Sequence, residues 1–297
     1  MVVRDAPVAT GGPSVRAASE ASGASFVGSV RVPHTRRKAT YPRPPYRDPV
    51  TTTAHVIRTT DLPTDPLALA HDYLRAVRVG ESPTPYEAAL RDLPRERLRA
   101  ALDTDDARLA FWTNVYNATV QSVLAASPEA FDARNAFFTA PLVTVAGERL
   151  SLDDVEHGLL RGSRPKWGLG YVRNPFPGAF ERAFRVRDRD WRIHFALNCG
   201  AAACPPIAAY AHDRIDTQLD LAAESYLGQE VEYEPATDVA RVPRLLLWFV
   251  GDFGGPSGIR DILRRYDCVP EGTRPTVRFR SYDWTLETGT FAPVEEW

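Results

Sequence analysis

The sequence predicts an α+β fold, a single mixed domain of helices and strands. Helical patterns dominate the chain after residue 65, and short strand-like runs are interspersed among them without a regular βαβ rhythm. The chain has 297 residues, of which 44% are hydrophobic and 25% are charged, so it is long enough and apolar enough to bury a large core. We place this domain at residues 65–290.

The first 60 residues differ in composition from the rest of the chain. Small residues dominate positions 9–29, and a basic run at 36–38 precedes a proline-rich stretch at 41–46. Such segments bury too little apolar area to offset the entropy lost on ordering, so we predict a disordered tail. Its basic and proline-rich runs make the tail a candidate contact for a protein partner.

Each element of the domain follows from a local pattern. Apolar spacing predicts helices, Gly80 and Pro94 act as stop and break signals, and Ser151 with Asp154 forms a helix cap. Alternation or a short apolar run predicts strands. The predicted helices are residues 65–79, 85–102 with the break, 107–126 capped by Asp105 or Asp106, 152–161, 216–227, 245–253 and 258–266. The predicted strands are a hairpin at 142–150, a buried strand at 191–197, and strands at 231–233, 239–242 and 276–279.

Composition argues against several classes of partner. The net charge of −2 provides no field to attract nucleic acid or an anionic membrane, and there is no basic face with interleaved aromatics. No stretch approaches the ~18–20 apolar residues of a membrane span. The odd cysteine count of three suits a reducing compartment. We therefore expect a cytoplasmic protein without nucleic-acid or membrane partners.

The densest set of reactive groups lies at residues 194–206. Cys199 and Cys204 are candidate nucleophiles, and a thiolate needs a base to accept its proton. In the predicted strand an odd offset of five places His194 and Cys199 on opposite faces, so His194 can serve Cys199 only if the chain bends. Cys204 could fold back towards His194, or His157 could serve Cys199. The alternative is that the cysteines are buried and inert.

Two helical patches supply further candidates. One face of the long apolar helix carries a stripe of amide side chains, Asn114, Asn117 and Gln121. These amides either hold loops to the core by hydrogen bonds, or Asn114 or Asn117 orients a histidine or a substrate carbonyl. Glu156 and His157 lie on the shorter helix, either as a surface charge cluster or with His157 as general base and Glu156 fixing a neighbour. The Cys-x4-Cys spacing is too loose for a closed zinc site, so we expect no metal and no cofactor. Phosphate-loop, GxSxG and HExxH motifs are absent.

These patches resemble the DUF547 family, which has no assigned function. Together the matching motifs span about residues 65–290. The recurring His, Asn, Glu and Cys of the family look like those of papain-like thiol enzymes, so the resemblance implies a papain-like arrangement by analogy. The motifs that carry the likeness are residues 111–117, 152–161, 194–206, 246–253 and 282–286.

Two functional hypotheses follow. In the first, the protein is a thiol-dependent hydrolase or acyl-transfer enzyme acting on a small-molecule or peptide substrate. In the second, it is a non-enzymatic interaction or scaffold domain whose polar motifs are buried pins. The first requires that the segments around Asn117, His157 and Cys199 fold to one locus. Its candidate residues are Cys199 or Cys204 as nucleophile, His194 or His157 as base, Asn114 or Asn117 as orienting amide, and Glu156 as support.

Overall fold

A computed structural model describes residues 62–293 and confirms the predicted α+β class. In this part of the chain helices predominate, and two small sheets are interspersed among them. The predicted disordered tail, residues 1–60, lies outside the described residues, so its disorder and its contact with a partner remain predictions.

The first helices confirm the pattern read from the sequence. α1 (Pro66–Val79) is capped by the carboxylate of Asp65 and ends at Gly80, whose φ of 77° is a left-handed conformation that glycine adopts without steric cost. α2 (Thr84–Arg91) and α3 (Arg95–Ala101) are separated at the predicted break.

The long central helix, α4 (Asp105–Ala126), starts at a different cap from the one predicted. Thr104 is the N-cap, and its hydroxyl accepts the N–H of Ala107 at 3.2 Å. The prediction of Asp105 or Asp106 as cap was wrong, because the carboxylate of Asp105 is engaged elsewhere. It pairs with Arg108 at 2.7 Å and also accepts backbone N–H groups from a loop distant in sequence.

A β-hairpin and a π-helix follow. β1 (Pro141–Val145) and β2 (Glu148–Ser151) pair antiparallel, as predicted. The predicted cap is also present, since the Ser151 hydroxyl donates to Asp154 at 2.6 Å and accepts the Asp154 N–H at 3.0 Å. The helix that follows is mainly a π-helix, Asp154–Leu160, a wider turn that is frequent at functional sites.

The remaining elements largely match their predicted positions. The second sheet consists of β3 (Glu232–Glu234), β4 (Val239–Val242) and β5 (Thr276–Phe279) in that order, with the first pair antiparallel and the second parallel. The helix predicted at 245–253 stops after one turn, at Trp248, and the N–H of Gly251 bonds to the Leu169 carbonyl at 2.7 Å rather than to a carbonyl of the helix. The elements are α5 (Arg134–Thr139), α6 (Ala179–Phe184), α7 (Ile215–Glu230), β3 (Glu232–Glu234), β4 (Val239–Val242), α8 (Leu245–Trp248), α9 (Gly255–Arg265) and β5 (Thr276–Phe279).

The prediction of a buried strand at residues 191–197 was wrong. The segment Trp191–Phe195 is a 3₁₀-helix, begun by Asp190, whose carboxylate accepts the N–H of Arg192 at 2.8 Å. A short buried apolar run fits a strand or a helix equally well by periodicity, and the aspartate cap favours the helix. The argument that His194 and Cys199 occupy opposite strand faces therefore does not apply.

The core consists of two clusters of buried apolar side chains. The larger surrounds α4, in which every residue of 107–121 is buried. The smaller lies among α7, α9 and the second sheet. Residues from both clusters line the cleft described next, so the cleft is supported by the packed interior on more than one side.

Candidate functional site

A cleft of about 500 Å³ forms where segments distant in sequence meet. The π-helix contributes Glu156 and His157, the 3₁₀-helix contributes His194, and the loop after it contributes Cys199 and Cys204. Five of the residues predicted from sequence thus line one cavity, whose volume is typical of small-molecule sites.

The two cysteines form a close pair in the cleft wall. Their sulfur atoms are 2.8 Å apart, and both remain thiols. The Cys199 N–H donates to Cys204 Sγ at 3.0 Å, and Tyr282 Oη lies 3.3 Å from Cys204 Sγ and 3.5 Å from Cys199 Sγ. Gly200 allows this turn: its φ is 90°, and a Cβ there would lie 2.4 Å from Leu124. The loop that carries Cys199 and Cys204 therefore turns around the Cys204 sulfur.

Hydrogen bonding gives the thiols of Cys199 and Cys204 different pKa values. Burial raises the pKa of Cys204, but hydrogen bonds from the Cys199 thiol, the Tyr282 hydroxyl and backbone N–H groups outweigh it and lower the pKa to about 7. The pKa of Cys199 is raised well above its ordinary value, because its thiol donates to Cys204 and is itself buried. The arrangement therefore favours a thiolate on Cys204 and a neutral thiol on Cys199.

His194 is held by a buried carboxylate. Its Nε2 lies 2.9 Å from Asp252 Oδ2, and its ring stacks on Phe249 with centroids 4.1 Å apart. Because the ionised Asp252 accepts a hydrogen bond from Nε2–H, the neutral ring carries its lone pair on Nδ1. Burial lowers the pKa of His194 in spite of Asp252, so the ring is neutral near pH 7. This histidine can accept a proton.

Two guanidinium groups keep Asp252 charged. Its Oδ2 accepts from Arg161 Nε at 2.6 Å, and its Oδ1 accepts from Arg189 Nη1 at 2.5 Å. Burial would raise the pKa of Asp252, but the hydrogen bond from His194 and the hydrogen bond and charge of Arg161 hold it well below the usual range. A buried carboxylate with this many donors fixes the orientation of the histidine.

His157 occupies the same cleft with a different proton arrangement. Its Nδ1 lies 2.9 Å from Arg161 Nη1, and since a guanidinium can only donate, Nδ1 is the acceptor and Nε2 carries the proton. Burial, followed by the charge of Arg161, lowers the pKa of His157 well below its ordinary value. Its only basic lone pair is already hydrogen-bonded, so His157 is less suited than His194 to accept a proton.

Glu156 is a largely buried carboxyl group beside these histidines. Burial raises its pKa to about 7, and the nearby Asp153 and Asp252 carboxylates add to that effect against the lowering by Arg161. Near neutral pH Glu156 is therefore divided between its protonated and ionised forms. A group with this property can donate or accept a proton during a reaction.

The amide stripe of α4 lies behind the cleft and does not line it. The Asn117 side chain donates to Ala196 O and accepts the Asn198 N–H, both at 2.9 Å. Asn114 makes the same pair of bonds to the backbone of Tyr210, at 2.8 and 2.9 Å. Both amides are buried and hydrogen-bond to backbone groups, and within residues 62–293 neither hydrogen-bonds to a histidine. The structure therefore places both as loop pins, with Asn117 holding the segment that leads into the cysteines.

Aromatic side chains form one wall of the cleft. Trp248, Tyr282 and Trp284 pack together with ring centroids 4.6 to 5.7 Å apart. The Arg134 guanidinium lies 5.1 Å from the Trp284 ring centre, and Lys166 also lines the cleft. The cavity therefore presents flat apolar surface together with cationic groups.

Sequence reasoning missed two residues that shape the site. Asp252 orients His194, and Tyr282 donates towards the cysteine pair. Both lie in motifs that carried the family resemblance, at 246–253 and 282–286, but a lone aspartate and a lone tyrosine gave no chemical signal. Among the described residues neither cysteine hydrogen-bonds to a histidine, so the structure brings these groups to one cavity without joining them directly.

Two further properties concern residues 62–293. No helix there combines the length and the apolar composition that a bilayer crossing requires. In the same residues no group of three or more His, Cys, Asp or Glu side chains is arranged to hold a metal ion.

The fold and the site together define an α+β domain with a paired-cysteine cleft, and one segment of it matches a known family. The family described as "Protein of unknown function, DUF547" matches residues 100–227, which include all seven site residues predicted from sequence. This segment is assigned to the DUF547 family, as the resemblance had suggested. No curated protein and no solved structure matches the chain significantly.

Proposed function

We propose that the cleft is the active site of a thiol-dependent hydrolase or acyl-transfer enzyme, with Cys204 as its nucleophile. The observation that carries the proposal is the convergence of hydrogen-bond donors on the Cys204 sulfur. The Cys199 thiol, the Cys199 N–H and the Tyr282 hydroxyl all lie within 3.3 Å of it. Donors around a sulfur stabilise the thiolate, which is the reactive form.

Cys204 is preferred to Cys199 because its sulfur also accepts the backbone N–H of Cys199 at 3.0 Å, which favours a thiolate at that position. The Cys199 thiol then donates a hydrogen bond to Cys204 and keeps its proton, whereas the lowered pKa of Cys204, about 7, leaves a large thiolate fraction at neutral pH. Such a thiolate needs no base for its activation. The lack of a direct cysteine–histidine hydrogen bond is therefore compatible with nucleophilic attack.

His194 is the preferred proton-transfer group. Asp252 holds its Nε2, which leaves Nδ1 available in the cleft, whereas the Nδ1 of His157 is occupied by Arg161. Glu156, with its pKa raised to about 7, is a second donor or acceptor in the same cavity. His157 and Arg161 are positioning residues in this proposal.

The proposed reaction has two acyl-transfer steps. The Cys204 thiolate attacks the carbonyl carbon of an ester, thioester or amide, a thioester forms, and the leaving group departs with the proton of the Glu156 carboxyl. Neutral His194 then takes a proton from water or an acceptor nucleophile as it attacks the thioester, which releases the acyl product and the thiolate, and that proton returns to Glu156. The aromatic wall favours a substrate with a flat apolar portion near its carbonyl.

The scaffold alternative rests on one specific observation. Asn114, Asn117 and Gln121 direct their amides to other segments of the chain, including the loops at Tyr210, Asn198 and Gly289, so this motif has a structural use without any reaction. Under this alternative the cleft residues also serve only to hold segments of the chain together, and the thiols react no faster than ordinary cysteines.

Alkylation of the individual cysteines separates the two functions. The rate of iodoacetamide labelling at each site is followed by mass spectrometry as a function of pH. Cys204 should label with a midpoint near pH 7, whereas Cys268, whose pKa is raised to about 11 by burial and by the charge of Asp267, is an internal control in the same chain. Replacing Tyr282 by Phe should raise the Cys204 midpoint. Labelling of Cys204 no faster than that of glutathione at pH 7 would favour the scaffold alternative.

Trapping an acyl-enzyme tests catalysis itself. The full chain is mixed with a panel of aryl esters and thioesters, quenched in acid and analysed by intact mass and peptide mapping. The expected adduct lies on Cys204 and disappears in Cys204→Ala, while the matched Cys268→Ala variant retains it. Turnover that persists undiminished in Cys204→Ala would contradict the proposal.

A further inference from the structure

A second cavity, of about 450 Å³, lies outside the cysteine cleft and is lined almost entirely by arginine. The arginines come from α3, α4, α6 and the segments before and after α6, which are far apart in sequence. Apart from Ala183, every lining residue carries a guanidinium: Arg99, Arg108, Arg173, Arg182, Arg185 and Arg187.

Carboxylates compensate little of this charge. Arg108 pairs with Asp105 at 2.7 Å, and within residues 62–293 none of the other five lining arginines forms an ion pair with a carboxylate. Clustered like charges are unfavourable, so their energy falls when an anion enters.

Neutral groups hold several of these arginines in place. Arg185 Nη1 donates to the Ser163 hydroxyl, and Arg182 Nη1 donates to the Pro177 carbonyl. Arg99 lies over the Phe184 ring, 5.6 Å from its centre. Burial, followed by the charge of Arg173, lowers the pKa of Arg185, which reflects the crowding of cations. The arginines are thus oriented without being neutralised.

One buried donor in the cavity wall has no partner. Arg108 is only 5% exposed, and its Nε–H makes no hydrogen bond although its Nη1 pairs with Asp105. A buried N–H without a partner is destabilising, so an acceptor that reached it would stabilise the fold. The unpartnered donor and the uncompensated charge both point to an anionic ligand.

We propose that this cavity binds a small, multiply charged anion that carries phosphate groups. The planar guanidinium fork matches phosphate oxygens bidentately, and several forks around one space fit an anion with more than one phosphate. The volume is that of a small-molecule site. This site is separate from the proposed thiol chemistry and does not depend on it.

Calorimetric titration of the full chain with inorganic pyrophosphate and tripolyphosphate tests the proposal, at about 0.15 M salt so that general charge attraction is screened. The test variant is Arg173→Gln/Arg187→Gln, which removes two exposed lining arginines. The matched control is Arg241→Gln/Arg278→Gln, which removes two exposed arginines that face each other on β4 and β5.

The expected result is saturable tripolyphosphate binding that weakens at least tenfold in the test variant and stays within twofold in the control. Sulfate at equal ionic strength should compete poorly. A comparison with magnesium-free ATP distinguishes the source of the phosphates: tighter binding of ATP assigns a nucleotide, and equal binding assigns a polyphosphate or other phosphate ester. Absence of saturable binding would overturn the proposal, as would equal weakening in the control or far tighter binding of a single-stranded oligonucleotide.

Discussion

Replacing Asn117 by alanine should alter both the stability of the fold and the chemistry of the cleft. The change leaves Ala196 O and the Asn198 N–H, both now bonded to Asn117, without their partner. Each buried group orphaned in this way costs about 1–3 kcal/mol, which gives a loss of about 2–6 kcal/mol in the free energy of unfolding. For a domain of this size the melting temperature should fall by on the order of 10 °C.

The same change should raise the pKa of Cys204. Asn198, which Asn117 holds, accepts the Gly200 N–H at 2.9 Å and donates to Pro205 O at 2.8 Å, so it ties together both ends of the cysteine loop. Loosening this loop moves the Cys199 N–H away from the Cys204 sulfur. The alkylation midpoint of Cys204 should then shift from about 7 towards about 8.5, the value of an ordinary thiol.

Asn114→Ala is the matched control for this experiment. It removes two equivalent hydrogen bonds from the same helix, but the backbone released is that of Tyr210, away from the cysteines. Both variants should lose comparable stability in urea unfolding, and only Asn117→Ala should shift the midpoint. The midpoint is a cleaner measure than the rate at pH 7, because a more basic thiolate is also intrinsically more nucleophilic. The reasoning is refuted if both variants leave the midpoint near 7.

Three other perturbations probe the charges and sulfurs of the cleft. Asp252→Asn leaves the buried Arg161 guanidinium and the half-buried Arg189 guanidinium without their carboxylate. It should destabilise the protein by roughly 3–5 kcal/mol in urea unfolding, whereas a loss below about 1 kcal/mol would contradict the buried network. Glu156 binds its proton more tightly in the folded state, so its contribution to stability falls as pH rises from 4.5 to about 7. The difference in unfolding free energy between wild type and Glu156→Gln should change by about 3 kcal/mol across this window, and a difference independent of pH would refute the raised pKa. Oxidation with diamide should remove two protons and two electrons and join Cys199 to Cys204, blocking both from iodoacetamide while Cys268 still labels; persistent labelling of the pair would count against their contact.

Local patterns predicted most of the elements because they depend on neighbours in sequence. The apolar circumference of α4, the glycine after α1 and the Ser151–Asp154 cap each act within a few residues. The one strand that was predicted wrongly, at 191–197, was a short apolar run for which periodicity has no preference. Packing in the core and the Asp190 cap decided its helical form.

By itself, the sequence determined the α+β class, the family resemblance and the residue types available for chemistry. The tertiary structure alone decided that Cys204, rather than Cys199, receives the converging donors, and that Asp252 leaves the Nδ1 of His194 available while Arg161 occupies that of His157. The physical reason is that acidity and proton position depend on burial and on hydrogen-bond geometry, and the bonds His194–Asp252 and Cys204–Tyr282 join groups more than fifty residues apart. No local pattern encodes these distances.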